Sequence, residues 1–188
     1  AYAGMFSALY VPLMILLFSL ILRGVALELR EKHGTAWWRR LWDTALVAGS
    51  VLPALLLGVA WGNIFSGIPI DGEGVYYGSL PQLLNPYGLL TGLLFLAWFA
   101  THGALGLASR TTGELRQRAG KVARAGWAST GALLAVFLGY TGYATTIYDH
   151  YLDHRWLFLL PAAMAGCLLA ARFASDRDRV WSAWFLSG

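Results

Sequence analysis

Two long apolar runs without a single charged residue constrain this chain more than any other feature of its sequence. They cover residues 44–65 and 88–108, and neither contains Asp, Glu, Lys or Arg. An α-helix of about 21 residues is roughly 32 Å long, which is close to the thickness of the hydrocarbon core of a bilayer. Helices that are apolar on every face are not expected at the surface of a soluble domain. The two runs and the connection between them, residues 66–87, therefore predict a transmembrane hairpin.

The rest of the chain repeats this arrangement on both sides of the hairpin. Hydrophobic residues make up 57% of the sequence and charged residues only 13%, whereas a soluble domain carries about 25% charged residues. The predicted fold class is therefore all-α, a polytopic transmembrane helix bundle with five complete spans. The predicted spans are residues 3–27, 44–65, 88–108, 126–147 and 156–174.

The two ends of the sequence suggest a piece of a longer protein. The chain starts at Ala1 rather than at Met, and residues 180–188 resemble the start of a sixth span. We expect residues 1–188 to form one transmembrane helical domain that is an internal fragment of a longer subunit.

The basic residues are concentrated in alternate connections. Twelve of the 14 Lys and Arg residues follow the first, third and fifth predicted spans. Cytoplasmic loops carry such an excess of basic residues, so the first span is predicted to run from outside to inside. Lys121 is then cytoplasmic, and Gly74 faces the exterior or the periplasm. Because the basic residues occupy these loops, the net charge of +4 does not indicate a nucleic-acid partner.

His102 is the one histidine within a predicted span, roughly 10 Å from its cytoplasmic end. It could be a haem ligand, a member of a proton or water path, or a neutral side chain that hydrogen-bonds across helices. A haem held by two histidines needs a partner on a facing helix, and His33, His150 and His154 all lie in predicted loops. Because an unpaired polar group is costly in a bilayer, we expect His102 to face the bundle and bond a neighbouring helix.

Charged residues near the predicted cytoplasmic side could connect His102 to the surface. Arg23 and Glu28 could equally pair with another helix or extend to the headgroups, and Glu28 has the favourable spacing to Lys32 for an ion pair. Asp43 precedes the second predicted span, where the helix dipole favours an acid. The candidates for a proton or water path are His102, Asp43, Glu114, Arg23 and Glu28.

Other features are open to a structural or a functional explanation. Gly58 and Gly62 have the spacing of small residues that lets two membrane helices approach closely. His150 and His154 have a metal-ligand spacing, but without a third or fourth ligand cluster we favour a solvated loop over residues 148–155. Cys167, the only cysteine, lies within an apolar run, which favours a small core residue over a reactive thiol. Residues 111–114 precede an amphipathic turn that could lie along the membrane surface.

Catalytic motifs are missing from the sequence. It contains no phosphate-binding loop, dinucleotide glycine fingerprint, nucleophile elbow or metalloprotease motif. We therefore predict no catalytic residue, no metal site and no cofactor-binding residue in this chain. A segment of a secondary transporter and a purely structural membrane scaffold are both compatible with the spans alone.

An ordered set of short stretches carries a resemblance to a known family. The stretches are LRGVALELR at 22–30, LWD at 41–43, GSVLP at 49–53, GVAWGN at 58–63, GIP at 67–69, LLNPYGLLTG at 83–92, HGA at 102–104 and RTTGEL at 110–115. In this order and spacing they resemble subunit II of the bd-type quinol oxidases. The resemblance extends over residues 2–118, and beyond them only the pattern of spans is similar.

This resemblance implies a subunit of a bacterial terminal oxidase in the cell (inner) membrane. Such an enzyme oxidises a quinol, reduces oxygen to water and contributes to the proton gradient. In the family, haems b and d and the site of quinol oxidation belong to subunit I, and subunit II is the partner bundle. The implied partners are the haem-bearing subunit I, the lipid bilayer, quinol and a small accessory subunit. The family's N-terminal helices, which carry acidic and Trp-rich motifs, would precede Ala1.

Overall fold

The computed structural model describes residues 2–68, 80–145, 147–177 and 179–188, and these residues are almost entirely helical. No strand occurs in these ranges, which confirms the all-α prediction. The helices are α1 Tyr2–Leu29, α2 Ala36–Ser66, α3 Leu80–Leu83, α4 Pro86–Arg110, α5 Gly113–Ala144, α6 Ile147–Asp153, α7 Leu159–Asp176 and α8 Val180–Ser187.

By length and composition, five helical segments in the described part of the chain can cross a membrane. Each of the five predicted spans overlaps one of them, and α8 coincides with the predicted start of a sixth. Large apolar side chains remain exposed along these helices, as expected where the surrounding solvent is lipid. The chain is therefore a multi-pass membrane protein. The segments are Gly4–Leu29, Ala36–Ser66, Pro86–Arg110, Gly113–Ala144 and Arg155–Asp176.

The connections contain more helix than the sequence predicted. The helix α2 begins at Ala36, before the predicted start of the second span, because the Trp-rich segment after Thr35 continues the same helix. The predicted loop over residues 148–155 is wrong, since α6 occupies most of it and a 3-10 turn follows at Arg155–Phe158. The Gly74 prediction lies outside the described residues.

The amphipathic segment after α4 does not form a separate surface turn. It is the beginning of α5, which continues without a break from Gly113 to Ala144 because no proline interrupts it. Gly113 has a φ of 65°, a left-handed conformation that suits glycine and lets the chain reverse after α4. A helix of 32 residues is roughly 48 Å long, so it extends beyond a hydrocarbon core of about 30 Å.

The chain divides within α4 into two compact units, Ala1–Leu96 and Ala97–Gly188, and each unit has its own core. In the first unit α1 packs on α2, and a buried cluster contains Leu9, Ala60 and Leu83. In the second unit α7 packs on α8. The second unit's buried cluster consists of small residues and one leucine: Ala104, Leu105, Ala123 and Ala183.

Candidate functional site

One close helix contact in the first unit is where α2 crosses the first half of α4. A Cβ atom added at Gly58 would lie 2.6 Å from the backbone oxygen of Thr91, and one added at Gly62 would lie 2.8 Å from Thr91 Oγ1. On α4 itself, a Cβ at Gly92 would lie 2.9 Å from the backbone oxygen of Leu55. Only glycine fits at such distances, and close approach of this kind is what the spacing of Gly58 and Gly62 favours.

Two asparagines form hydrogen bonds at the end of this crossing. The side-chain amide of Asn63, buried in α2, donates to the backbone oxygens of Val59 and Leu83 at 2.8 and 2.7 Å. Asn85 Nδ2 donates to Asn63 Oδ1 at 2.8 Å, and the Gly88 backbone N–H donates to Asn85 Oδ1 at 2.7 Å. This pair was not predicted from the sequence, where the available signal was two amide side chains flanking one connection.

Asp43 forms an ion pair rather than a contact with a helix N-terminus. Arg30 Nε donates to Asp43 Oδ1 at 2.5 Å, and both side chains are almost half exposed. The hydrogen bond to Asp43 is the main cause that raises the pKa of the Arg30 guanidinium. Because α2 begins at Ala36, Asp43 lies about two turns inside the helix, and the dipole explanation of Asp43 is wrong.

The other charged candidates have local partners or are exposed. Glu28 pairs with Lys32 at 3.7 Å, which confirms the ion pair predicted from their spacing. Glu114 accepts a hydrogen bond from Arg118 Nη2 at 2.6 Å on the exposed surface of α5. Arg23 is exposed in α1, where its backbone lies against Gly49 of α2.

His102 bonds a neighbouring helix in the second unit. Its Nδ1 atom lies 2.9 Å from Ser187 Oγ of α8, and the imidazole stacks on the Trp184 ring at 5.5 Å between centroids. The Ser187 hydroxyl is also within 3.0 Å of the Trp184 backbone oxygen, so the imidazole and this carbonyl are linked through one hydroxyl. The prediction that His102 hydrogen-bonds an adjacent helix is confirmed.

A small cavity adjoins His102. It measures about 10 Å³ and is bordered by Thr101, Trp127, Thr130 and Ser187 among others, which is room for about one water molecule. The Thr101 and Thr130 hydroxyls lie 3.4 Å apart beside it. In the part of the chain that the structure describes, the buried Trp127 indole N–H has no hydrogen-bond partner.

The surroundings of His102 do not fit a haem. One imidazole nitrogen is engaged by Ser187, one ring face is covered by Trp184, and the adjoining space is far smaller than a porphyrin. Among the described residues, no group of three or more His, Cys, Asp or Glu side chains could hold a metal ion. His154 is exposed, and the side chain of His150 lies outside the described residues.

Within each unit, no hydrogen bond between described residues joins one predicted path residue to another. Within the second unit, His102 bonds Ser187 while Glu114 bonds Arg118. Within the first unit, Glu28 and Asp43 each pair with a separate basic residue. The path therefore stays a prediction.

Comparisons with known proteins agree with the resemblance. A family model described as cytochrome bd terminal oxidase subunit II matches residues 1–188. The chain is 38% identical over 160 residues to the cytochrome bd-I ubiquinol oxidase subunit 2 of Escherichia coli, which covers 80% of the chain and 42% of that relative. It is 32% identical over 184 residues to the cytochrome bd ubiquinol oxidase subunit 2 of Bacillus subtilis, which covers 96% of the chain and 53% of that relative.

A third relative extends the same pattern. The probable cytochrome oxidase subunit 2 of Haemophilus influenzae is 42% identical over 129 residues, which covers 66% of the chain and 34% of that relative. The chain thus spans about half the length, or less, of the curated relatives it matches. These matches give no support to the transporter alternative.

Proposed function

The chain belongs to the cytochrome bd terminal oxidase subunit II family, and from this we propose that its protein is the second subunit of a bacterial bd-type quinol oxidase. The complex oxidises a quinol, reduces oxygen to water and contributes to the proton gradient. The observation that carries the proposal is the family match over the whole of residues 1–188.

We propose that this chain acts as the partner bundle of the haem-bearing subunit I, with a small accessory subunit as a further partner. Haems b and d, which carry electrons to oxygen, then belong to subunit I. The contacts of His102 support this division, because its ring already forms a hydrogen bond with Ser187 and stacks on Trp184. The close crossing at Gly58 and Gly62 gives the bundle a stable surface on which another subunit can assemble.

We further propose that His102 belongs to a route for protons or water. The water-sized cavity beside it and the hydroxyls of Thr101, Thr130 and Ser187 support this, because protons cross apolar regions along hydrogen-bonded groups. Asp43, Glu114, Arg23 and Glu28 are the charged groups through which such a route would reach the surface.

We propose a bacterial inner-membrane location with the basic connections in the cytoplasm. The distribution of Lys and Arg supports this orientation, because 12 of the 14 follow the first, third and fifth predicted spans. Single cysteines at Lys121 and Gly74 test it, after Cys167 has been replaced by serine. A membrane-impermeant maleimide added to spheroplasts should label the position of Gly74 and spare that of Lys121. The reverse pattern would contradict the orientation.

Co-purification tests the assignment to an oxidase. The full-length protein, tagged and extracted from native membranes, should bring with it a haem-bearing partner with the reduced-minus-oxidised spectrum of haems b and d. His102→Ala should leave that spectrum intact in the assembled complex. A tagged protein that purifies without any haem would contradict the proposal, and selective loss of one haem signal in His102→Ala would contradict the division between the subunits.

A further inference from the structure

An open apolar groove lies in the second unit between the second half of α4 and the beginning of α5. Its volume is about 340 Å³, within the range of roughly 300–1,000 Å³ that is typical of ligand pockets. On α4 it is lined by Ala100, Gly103, Ala104 and Leu107, whose spacing places them on one helical face. It is thus distinct from the small cavity beside His102.

The groove is open because its α4 side consists mostly of small residues. No atom of the described neighbouring chain lies within 4 Å of the position that a Cβ atom would take at Gly103. Leu107 and, across the groove on α5, Leu115 and Val122 are about half exposed. Exposed apolar walls around an open channel suit a flexible hydrocarbon chain.

The groove has one basic residue in its lining. Arg118 contributes to its lining, and its side chain is 73% exposed. Between residues 110 and 124, five residues are basic and one, Glu114, is acidic. Because α5 is roughly 18 Å longer than a hydrocarbon core, its charged first turns can lie at the level of the lipid headgroups. Basic pockets between membrane helices bind anionic headgroups.

We propose that this groove binds an anionic phospholipid, with an acyl chain between α4 and α5 and the phosphate at Arg118. Both parts of such a lipid find their complement here, the acyl chain against Gly103 and Leu107 and the phosphate at the guanidinium. An uncharged prenyl quinol would use the apolar walls but not Arg118. The proposal depends on the membrane-spanning fold and not on the proposed oxidase function.

Glu114 weakens the binding of a phosphate at Arg118. Its carboxylate holds Arg118 Nη2 at 2.6 Å and therefore competes with a phosphate for the same guanidinium. Removing the carboxylate charge should strengthen lipid binding, and removing Arg118 should weaken it. Opposite effects from two neighbouring exposed residues are not expected from general damage to the fold.

The test uses the full-length protein in its purified complex, reconstituted in nanodiscs with equal amounts of phosphatidylglycerol and phosphatidylcholine of identical acyl chains. Native mass spectrometry then counts the lipids that stay bound after release from the nanodisc. The wild type should retain phosphatidylglycerol in preference to phosphatidylcholine. Arg118→Ala should lower this preference about fivefold, the effect of one basic residue near a membrane surface, and Glu114→Gln should raise it.

Gly103→Leu should remove one retained phosphatidylglycerol by filling the groove. Gly131→Leu is the matched control, because Gly131 is an exposed glycine of α5 that also has open space around its Cβ position. Equal retention of the two lipids by the wild type would overturn the proposal. So would equal lipid counts for the two leucine variants, a protein helix found in the groove of the assembled complex, or effects of Arg118→Ala and Glu114→Gln in the same direction.

Discussion

The two halves of α4 contain similar small residues but use them differently. In the first half, Gly88 and Gly92 lie directly against α2, with no room for a Cβ atom. In the second half, Gly103 has open space in front of it and borders a groove. One glycine-rich helix thus forms a closed contact in one unit and leaves an open groove in the other.

This difference shows what holds membrane helices together. Lipid tails are as apolar as leucine, so apolar side chains alone do not drive two helices into contact. The first half combines close backbone packing with the hydrogen bonds of Asn63 and Asn85. The second half also packs closely on one side, where a Cβ at Gly126 would overlap Thr101 Oγ1 and a Cβ at Gly106 would lie 3.0 Å from Trp184 Nε1, but its face at Gly103 remains open.

The largest expected effect comes from filling the closed contact. Gly58→Leu places a side chain where the backbone of α4 already lies, and overpacking of this kind costs about 3 kcal/mol. The thermal unfolding midpoint of the purified complex should fall clearly below that of the wild type. Gly103→Leu, the matched change in the open half, should leave the midpoint nearly unchanged. Equal losses in the two variants would show that both halves are equally packed.

Removal of the Asn63 amide should have the next largest effect. Asn63→Leu removes a buried amide. The Leu83 carbonyl then loses its hydrogen-bond donor and the Asn85 amide loses its acceptor, which costs about 2 kcal/mol of folding free energy. Asn85→Ala should cost less, because Asn63 keeps its bonds to the Val59 and Leu83 carbonyls. Thermal unfolding of the two variants side by side measures this order. A larger loss in Asn85→Ala would contradict it.

His102 should contribute less to stability but more to activity. His102→Phe loses the bond to Ser187 at a cost of about 1 kcal/mol, whereas the amide of His102→Gln can replace it. Quinol-driven oxygen consumption and proton uptake of the assembled variants decide whether His102 also has a role in transfer. If His102→Gln keeps its activity and His102→Phe loses it, the result supports a hydrogen-bonding or water-holding role for His102. Full activity of both variants would show that His102 is structural.

The smallest effect is expected at the exposed ion pair of the first unit. Asp43→Asn should leave the unfolding midpoint within experimental scatter, because exposed ion pairs contribute little. Since the pKa of Arg30 is raised, the guanidinium stays charged through mildly alkaline pH, and its contribution would be lost only as the pH rises through that raised pKa. Unfolding of wild type and variant at neutral and mildly alkaline pH checks this. A clear loss in Asp43→Asn would indicate a partner beyond Arg30.

The sequence was sufficient for the spans and for one packing contact. Apolar runs report membrane helices directly, and the spacing of Gly58 and Gly62 predicted a close approach of another helix without indicating which one. Helix ends were less predictable: α2 and α5 extend beyond their apolar runs, because polar residues continue a helix as readily as they end it. Asp43 was therefore assigned to a helix start that lies at Ala36 instead.

The candidate site was predictable in kind but not in its partners. Burial in a bilayer requires a hydrogen bond for His102, yet nothing in the sequence indicated Ser187, which is 85 residues away. The amide pair of Asn63 and Asn85 was missed for the same reason, since their contact depends on how α2 and α4 cross. Small residues alone also could not distinguish Gly92 in the closed contact from Gly103 in the groove.

Quinol-driven oxygen consumption tests the central claim most directly. Membranes from a strain that lacks its other terminal oxidases are compared with and without the gene for the full-length protein, with the haem-bearing subunit present in both. Our account predicts that oxygen consumption depends on the gene and returns with the wild-type copy. Undiminished quinol-driven oxygen consumption in its absence would contradict the assignment as an oxidase subunit.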